Sequence, residues 1–511
     1  MNVVLQQHLP SAQGEWDFDF QAWPLAQAQR WRVVLYQSAE QRWAAMADHA
    51  VNPMLLERLE AEVLCAVQWL EVDSTVLNMA LQSGSESFRA MDALLGADNA
   101  ATPVATLQEL SALQLSEQQS PLVRLLDSVL HDALQDGASD VHLECKAMGM
   151  AIRYRIDGVM VDVRSLNDPV AAEQLVSRLK VMAELDIGER RLPQDGRFAL
   201  RTKGRDIDFR LSIIPSVFGE DAVIRILDRA QISQAQGALT LEALGLDAAS
   251  RAAIRKLALL PNGMLLVTGP TGSGKTTTLY AAISEVNTGR DKIITIEDPV
   301  EYHLAGVVQV PVNDKKGLTF ARGLRSILRH DPDRVMVGEI RDSETAQIAV
   351  QAALTGHLVF STVHANSAID VIGRFMHMGL DLYDVVSALN GVVAQRLLRL
   401  NCRHCTQPVT VTPEQIHAYG LTLDATQGHR FCAGAGCSHC RGTGYQGRNA
   451  VAELLLMDDV LRDLIAARAP IGKIKAAARE RGMKTLRQGA LELVCQGQTT
   501  FEEVDRVTLA L

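Results

Sequence analysis

The sequence has few aromatic residues and no long apolar run. Phe, Trp and Tyr make up 5% of the 511 residues, so we expect cores built mainly from Leu, Val, Ile and Ala. No apolar stretch reaches the ~18 residues that a membrane-spanning helix requires. The amino terminus also has neither the basic segment nor the apolar segment of an export signal. We therefore expect a cytoplasmic protein whose membrane contact is peripheral and depends on a partner.

An excess of positive charge is also missing. The net charge is -10 at pH 7, which argues against binding nucleic acid over the whole surface. The hydrophobic fraction of 47% and the charged fraction of 22% are instead typical of folded soluble domains. The length is sufficient for about three or four such domains.

The cysteines are few, but four of the eight fall in two C-x-x-C pairs, within "NCRHC" and "GCSHC". In a reducing cytosol this pattern favours a metal site over disulfides. Four thiolates form a closed tetrahedral set that suits Zn²⁺ and leaves no open position for catalysis, so we predict a structural zinc site. The predicted ligands are Cys402, Cys405, Cys437 and Cys440. The neighbours expected to lie outside the coordination sphere are His404, Cys432 and His439.

The stretch "GPTGSGKTT" is the strongest chemical signal in the chain. It matches G-x-x-x-x-G-K-[ST] and lies between an apolar strand pattern, "GMLLVTG", and a helix pattern, "TTLYAAISEV". This context distinguishes a phosphate-binding loop from a chance glycine-rich turn. We predict that it binds ATP, with Lys275 reaching the β- and γ-phosphates and Thr276 holding Mg²⁺. The predicted nucleotide-binding residues are Gly269, Pro270, Thr271, Gly272, Ser273, Gly274, Lys275, Thr276 and Thr277.

Polar residues follow three further apolar stretches. "RVMVGEIRD" places Glu339 after a strand, as in a Walker B element that orients Mg²⁺ and its water. "IITIEDPVEY" places three carboxylates in five residues, and carboxylates beside a triphosphate require a cation. These carboxylates are Glu297, Asp298 and Glu301. "TGHLVFSTVH" gives His357 and His364 as candidates for sensing the γ-phosphate, with a purely structural role as the alternative.

The patterns divide the chain into five parts. Residues 1–115 read as helical, and 116–236 read as an α+β domain with a helix between Ser120 and Gly137 and hairpin turns at 157–158 and 203–204. Residues 237–400 alternate buried strands with helices, which is typical of an α/β domain with a parallel sheet. Residues 401–446 hold the cysteines, and residues 447–511 add helices.

The four motifs, in this order, resemble the secretion ATPase superfamily, the traffic ATPases of type II secretion and type IV pili. The match includes its Walker A, Asp box (IEDPVEY), Walker B (GEIRD) and His box (TGHLVFSTVHAN). Upstream, "SDVHLE", "RYRIDGVM" and "ERRLPQDGRF" resemble the PAS-like domain of that family. The resemblance extends over about residues 120–511 and includes the four-cysteine element.

The resemblance implies a RecA-like core in a hexameric ring, with the nucleotide between the PAS-like and RecA-like domains. It also implies Arg210 and Arg225 as phosphate clamps, because guanidinium suits phosphate geometry. The alternative for these arginines is a structural ion pair with Asp208 or Glu220. We assign Glu297 as general base and Glu339 as Mg²⁺ ligand, and the reverse assignment remains open.

The resemblance further implies that residues 1–115 dock on the cytoplasmic domain of an inner-membrane secretion protein, and that motion passes to a polytopic platform protein. All five tryptophans of the chain fall in this region, and four of them are expected to form either a small core or a docking surface. They are Trp23, Trp31, Trp43 and Trp69. Type II secretion is preferred and pilus extension is the alternative. A nucleic-acid motor and a nucleotide-gated scaffold are the remaining alternatives, and no nucleic acid is expected.

Overall fold

The computed structural model describes ten parts of the chain, within two compact units that span Met1–Asp228 and Arg229–Leu511. The described residues are 23, 25–37, 43–47, 55, 59–60, 67–87, 121–202, 205–227, 239–422 and 429–508. The predicted helix start at Ser120 and the predicted turn at 203–204 lie outside them. Within the described parts, no helix is both long and apolar enough to cross a bilayer.

The helices and strands are numbered here in chain order. The strands are β1 Val33–Gln37, β2 Trp43–Ala47, β3 Gln68–Glu71, β4 Asp140–Lys146, β5 Gly149–Ile156, β6 Val159–Leu166, β7 Gln194–Thr202, β8 Arg205–Ser216, β9 Gly219–Leu227, β10 Gly263–Thr268, β11 Ile293–Glu297, β12 Val308–Pro311, β13 Arg334–Val337, β14 Leu358–Val363, β15 Leu389–Asn401, β16 Thr406–Pro408, β17 Cys432–Gly434 and β18 Tyr445–Leu456. The α-helices are α1 Leu25–Trp31, α2 Ser74–Ser87, α3 Pro121–Gln135, α4 Pro169–Met182, α5 Ala248–Ala258, α6 Lys275–Val286, α7 Phe320–Ile327, α8 Ser343–Leu354, α9 Asp370–His377, α10 Leu382–Ala388, α11 Pro413–Ala418, α12 Asp459–Ala466, α13 Ile471–Glu480, α14 Leu486–Cys495 and α15 Phe501–Val507.

The amino-terminal region is not only helical, so part of the sequence prediction is wrong. Strands β1, β2 and β3 form a three-stranded sheet where helix was predicted, with β1 antiparallel and β3 parallel to β2. The run "VVLYQ" of β1 is rich in β-branched and aromatic residues, and its pairing with β2 outweighs the helix-forming alanines nearby. Trp23 is buried in this core and donates through Nε1 to the Val33 carbonyl oxygen at 3.1 Å, whereas Trp31 is 39% exposed.

A second sheet in the first unit has six antiparallel strands in the order β6-β5-β4-β9-β8-β7. The predicted turn between β5 and β6 is confirmed, since Asp157 and Gly158 both have positive φ, as this two-residue hairpin requires. Helices α3 and α4 bury their apolar faces on one side of the sheet. Asp168 caps α4 by accepting from the Val170 and Ala171 amides. The opposite face carries polar side chains, as the alternating burial of the strands dictates.

The second unit contains a seven-stranded sheet in the order β12-β11-β13-β14-β10-β15-β18. All neighbours are parallel except β15 and β18, and every residue of β10, β11 and β14 is buried. The predicted α/β class with a buried parallel sheet is therefore confirmed. The motif residues follow the carboxyl ends of β10, β11, β13 and β14, and these ends meet at one edge of the sheet.

Candidate nucleotide and metal sites

The predicted phosphate loop joins the end of β10 to the start of α6. Gly269 has φ 147° and Gly274 has φ 83°, both in the region that glycine tolerates best. A Cβ at Gly269 would lie 2.5 Å from the Gln395 carbonyl oxygen and 2.6 Å from Ser273 Oγ. The loop therefore needs glycine at this position both for its backbone conformation and for its close approach to β15.

Lys275 is the first residue of α6, and its environment fits a phosphate ligand. Its Nζ donates to the carbonyl oxygens of Gly269 at 2.9 Å and Pro270 at 3.0 Å. Burial lowers its pKa, and the negative charge of Glu339 opposes that effect. Ser273 Oγ is buried and has no hydrogen-bond partner within the described parts of the chain. A cation, an unsatisfied hydroxyl and a helix amino terminus together form a suitable cradle for phosphate oxygens.

Glu339 follows β13 and lies at the same edge of the sheet. Its Oε2 is 3.5 Å from His364 Nε2, and its Oε1 accepts from Arg341 Nη2 at 2.5 Å. The hydrogen bond to Glu339 raises the pKa of Arg341. His364 directly follows β14 and is half exposed. The structure thus brings Lys275, Glu339 and His364 together, because Glu339 lies beside His364 and its charge acts on Lys275.

Glu297, the last residue of β11, is in a different environment. Its side chain is almost fully buried and accepts hydrogen bonds from the Tyr280 hydroxyl, from Thr295 Oγ1 and, at 3.1 Å, from Gln309 Nε2. Burial, together with the hydrogen bond to Glu297, raises the pKa of Tyr280. The carboxylate therefore links β11 to α6 and β12 through hydrogen bonds. Asp298, the next residue in the chain, is exposed.

The two candidate histidines lie at opposite ends of β14. His357 precedes the strand and its Nδ1 is 3.0 Å from the Ala352 carbonyl oxygen. Because β14 has six residues and a parallel strand rises about 3.3 Å per residue, His357 lies about 20 Å from the edge that carries Lys275. The structure brings only His364 to the phosphate loop.

Arg210 and Arg225 lie in the first unit, where they are direct neighbours across β8 and β9. Arg225 Nε donates to Asp140 Oδ1 at 2.9 Å, while more than half of the Arg225 side chain remains exposed. Arg197 on β7 is directly opposite Arg210, so the three arginines form a row across β7, β8 and β9. Like charges directly opposite one another destabilise a sheet unless an anion compensates them.

Two residues of β15 that the sequence analysis missed lie beside the phosphate loop. Gln395 is fully buried between the loop and α6. Arg396 is half buried and donates to the carbonyl oxygens of Gln395 and Asn366, and burial lowers its pKa. The signal that could have revealed them is a polar Gln-Arg pair inside the otherwise apolar run "GVVAQRLL".

The four predicted cysteine ligands come together beside the ends of β15 and β18. Their Sγ atoms all lie within 4.8 Å of one another, and three of the separations are 3.9, 3.8 and 3.7 Å. A tetrahedral ion with metal–sulfur bonds of about 2.3 Å gives sulfur–sulfur edges of about 3.8 Å. Backbone amides of Cys437 and Gly444 also donate to Cys440 Sγ. The group can hold a metal ion, and its sulfur–sulfur separations fit zinc.

The residues predicted to lie outside the coordination sphere are His404, Cys432 and His439. His404 and His439 stack on each other with ring centroids 4.0 Å apart. Within the described residues, the candidate metal-binding group contains neither histidine and does not contain Cys432.

Comparison with known proteins gives consistent matches over most of the chain. A family model described as "Type II/IV secretion system protein" matches residues 115–506. The type II secretion system protein E of Dickeya dadantii is 46% identical over 436 residues, which are 84% of this chain and 85% of that protein. The type II secretion system ATPase E of Vibrio cholerae is 40% identical over 496 residues, which are 95% and 96% of the two chains.

A comparison of structures gives the same fold. The ATPase DotB of Legionella pneumophila superposes with a TM-score of 0.54 and 20% identity, covering 75% of this chain and 95% of that chain. At this level of identity, the likeness shows the fold alone.

Proposed function

The chain belongs to the Type II/IV secretion system protein family and is an ATPase, and we propose that it powers protein export by a type II secretion system. ATP hydrolysis would drive assembly of a pseudopilus, with the chain attached peripherally to the cytoplasmic side of the inner membrane. Relatives described as type II secretion system protein E or ATPase E, 40% and 46% identical over most of the chain, support this proposal.

One observation carries the catalytic part of the proposal. Lys275, Glu339 and His364 meet at the carboxyl edge of the parallel sheet, beside a glycine-rich loop and a helix amino terminus. Lys275 would neutralise the β- and γ-phosphates, and Thr276 at the start of α6 would hold Mg²⁺. Bound Mg²⁺ would supply charge neutralisation of the transferring phosphoryl group.

The contacts of the two glutamates favour Glu339 over Glu297 as the general base. Glu297 is enclosed by three hydrogen-bond donors and is almost fully buried. Glu339 has two polar neighbours, His364 and Arg341, and its charge acts on Lys275. A base must be within hydrogen-bond reach of the water that it activates. We therefore propose that Glu339 orients and deprotonates the attacking water, and that Glu297 supports β11 and α6.

The two strand arginines of the first unit complete the proposed catalytic machinery. The cross-strand row that contains Arg210 and Arg225 concentrates guanidinium groups on one face of the sheet. Such a row suits a triphosphate, because guanidinium binds phosphate oxygens in two-point geometry. We propose that Arg210 and Arg225 contact the nucleotide in a hexameric ring.

The remaining parts of the proposal concern assembly. Residues 1–115 would bind the cytoplasmic domain of an inner-membrane secretion protein, 116–236 would form the PAS-like domain, and 237–400 with 447–511 would form the RecA-like ATPase domain. Zn²⁺ in residues 401–446 would fix the ends of β15 and β18. The ring would pass its motion to a polytopic platform protein.

Complementation tests the biological part of this proposal. In a secretion-competent host that lacks the gene, the intact chain should restore export of the secreted proteins, and Lys275→Ala should not. Lys256→Ala, which removes an exposed lysine on α5, is the matched control and should restore export fully. Restoration of surface pili without restoration of export would contradict the type II assignment.

A further inference from the structure

Gln395 links strand β15 to both ends of the phosphate site. Its side chain is 0% exposed. Its Nε2 donates to the Ser273 carbonyl oxygen in the loop at 2.8 Å, and its Oε1 accepts from Thr278 Oγ1 on α6 at 2.7 Å. Ser273 lies 122 positions before Gln395 in the sequence, and Thr278 lies 117 positions before it. A neutral amide is suited to both tasks, because it carries one donor group and one acceptor group.

The fit between Gln395 and the loop is close. A Cβ at Gly274 would lie 2.9 Å from Gln395 Nε2, and a Cβ at Gly269 would lie 2.5 Å from the Gln395 carbonyl oxygen. Both glycines have positive φ. The loop therefore rests directly on β15, and Gln395 contacts it through its side chain and its backbone.

The bond to Ser273 also controls a phosphate-facing group. The peptide unit is planar and trans, so its carbonyl and the next N–H point in opposite directions. Holding the Ser273 carbonyl towards β15 directs the Gly274 N–H away from that strand. In loops of this kind, backbone N–H groups are the ligands of the phosphate oxygens. The orientation of one such donor thus depends on Gln395.

We propose that Gln395 is a positioning residue that holds the phosphate loop in its nucleotide-binding conformation. The ligand it serves is the Mg²⁺-bound triphosphate, so this inference rests on the proposed ATPase site. Gln395 itself does not touch the phosphates. It acts through the Ser273 peptide group, and it organises the loop before the nucleotide arrives.

Two substitutions separate the two bonds of Gln395. Gln395→Glu retains an acceptor for Thr278 but cannot, as a carboxylate, donate to Ser273. Thr278→Val removes the hydroxyl on α6 and leaves the bond to Ser273 in place. Because Gln395→Glu also adds a negative charge near the phosphates, Gln395→Met, which has similar length and no charge, is measured beside it.

The test measures Kd for ADP and for Mg-ATPγS by calorimetry, and the unfolding midpoint without nucleotide, using the full chain. Gln395→Met and Gln395→Glu should weaken binding by about 10- to 100-fold, which corresponds to the loss of one buried hydrogen bond. Thr278→Val should lower the unfolding midpoint but change Kd by less than about threefold. When the rate is measured over a range of ATP concentrations, Gln395→Met should raise KM for ATP much more than it lowers kcat.

Several outcomes would overturn the inference. If Thr278→Val changes the unfolding midpoint and Kd as much as Gln395→Met does, Gln395 has only a structural role. If wild type binds nucleotide and folded Gln395→Met binds it equally well, the loop does not depend on Gln395. Should Gln395→Met fail to fold, an unchanged Kd in Gln395→Glu overturns the inference. If the wild type itself binds no nucleotide, the proposed ATPase site fails and this inference fails with it.

Discussion

The same amide substitution at Glu339 and at Glu297 is expected to have opposite consequences. Glu339→Gln preserves shape but removes the base, so kcat should fall by about 10²- to 10⁴-fold, the usual contribution of a general base. Its stability should change little, since the ion pair with Arg341 involves a largely exposed partner, and such pairs contribute about 0–1 kcal/mol.

Glu297→Gln should instead destabilise the fold. The carboxylate accepts from three donors, and the amide replaces one acceptor oxygen with an NH₂ group, so at least one buried donor loses its partner. Such a loss costs about 1–3 kcal/mol. With about 2–4 °C per kcal/mol for a domain of this size, the unfolding midpoint should fall by about 2–12 °C. We expect kcat of the folded variant to stay within about tenfold of wild type.

The assays are phosphate release at saturating Mg-ATP and thermal unfolding without nucleotide. Glu344→Gln, which removes an exposed carboxylate on α8, is the control for the charge change and should alter neither quantity. If Glu297→Gln lowered kcat as much as Glu339→Gln and left the midpoint unchanged, Glu297 would be the base and our reading of the contacts would be wrong.

Three further predictions follow from other parts of the structure. Burial raises the pKa of Asp127, on α3, to about 6 from its ordinary 3.8. The contribution of Asp127 to the free energy of unfolding is therefore fully present below pH ~4 and is lost as pH rises through ~6. Asp127→Asn should then raise the free energy of unfolding at pH 8 by up to about 3 kcal/mol and leave it unchanged at pH 4, and equal effects at both pH values would refute this. Elemental analysis should find one zinc per chain, and Cys437→Ser or a chelator should remove it and lower the unfolding midpoint; a full-length, reduced chain with no metal would contradict the site. Arg225→Ala should lower kcat/KM at least tenfold, whereas Arg201→Ala, which removes an exposed arginine paired with an aspartate, should not; equal losses would indicate a general charge effect.

The buried parallel sheet could be predicted because its strands are short apolar runs followed by polar motif residues. The edge at which those residues meet follows from the direction of parallel strands. The same rule separates the two histidines, since His364 follows β14 and His357 precedes it. The thiol cluster was predictable because ligand spacing in C-x-x-C pairs is set by local turn geometry.

Other features depend on tertiary contacts that the sequence does not display. Glu297 and Asp298 are adjacent acids in one motif, yet only Glu297 is enclosed by donors from α6 and β12. The contact of Gln395 with the phosphate loop could be predicted only if the pairing of β15 with β10 were known. Strand β1 formed where helix was predicted, because its pairing with β2 outweighed local propensity.

Phosphate release by the purified full-length chain is the most direct test of the account. The wild type, with Mg²⁺ and its zinc in place, should hydrolyse ATP with saturation kinetics. Lys275→Ala should remain folded and lose at least about 10²-fold in kcat/KM, while Lys256→Ala should match the wild type. No hydrolysis by the wild type, tested alone and with the proposed membrane partners, or equal hydrolysis by Lys275→Ala, would contradict the claim that ATP is cleaved at the Lys275–Glu339 site.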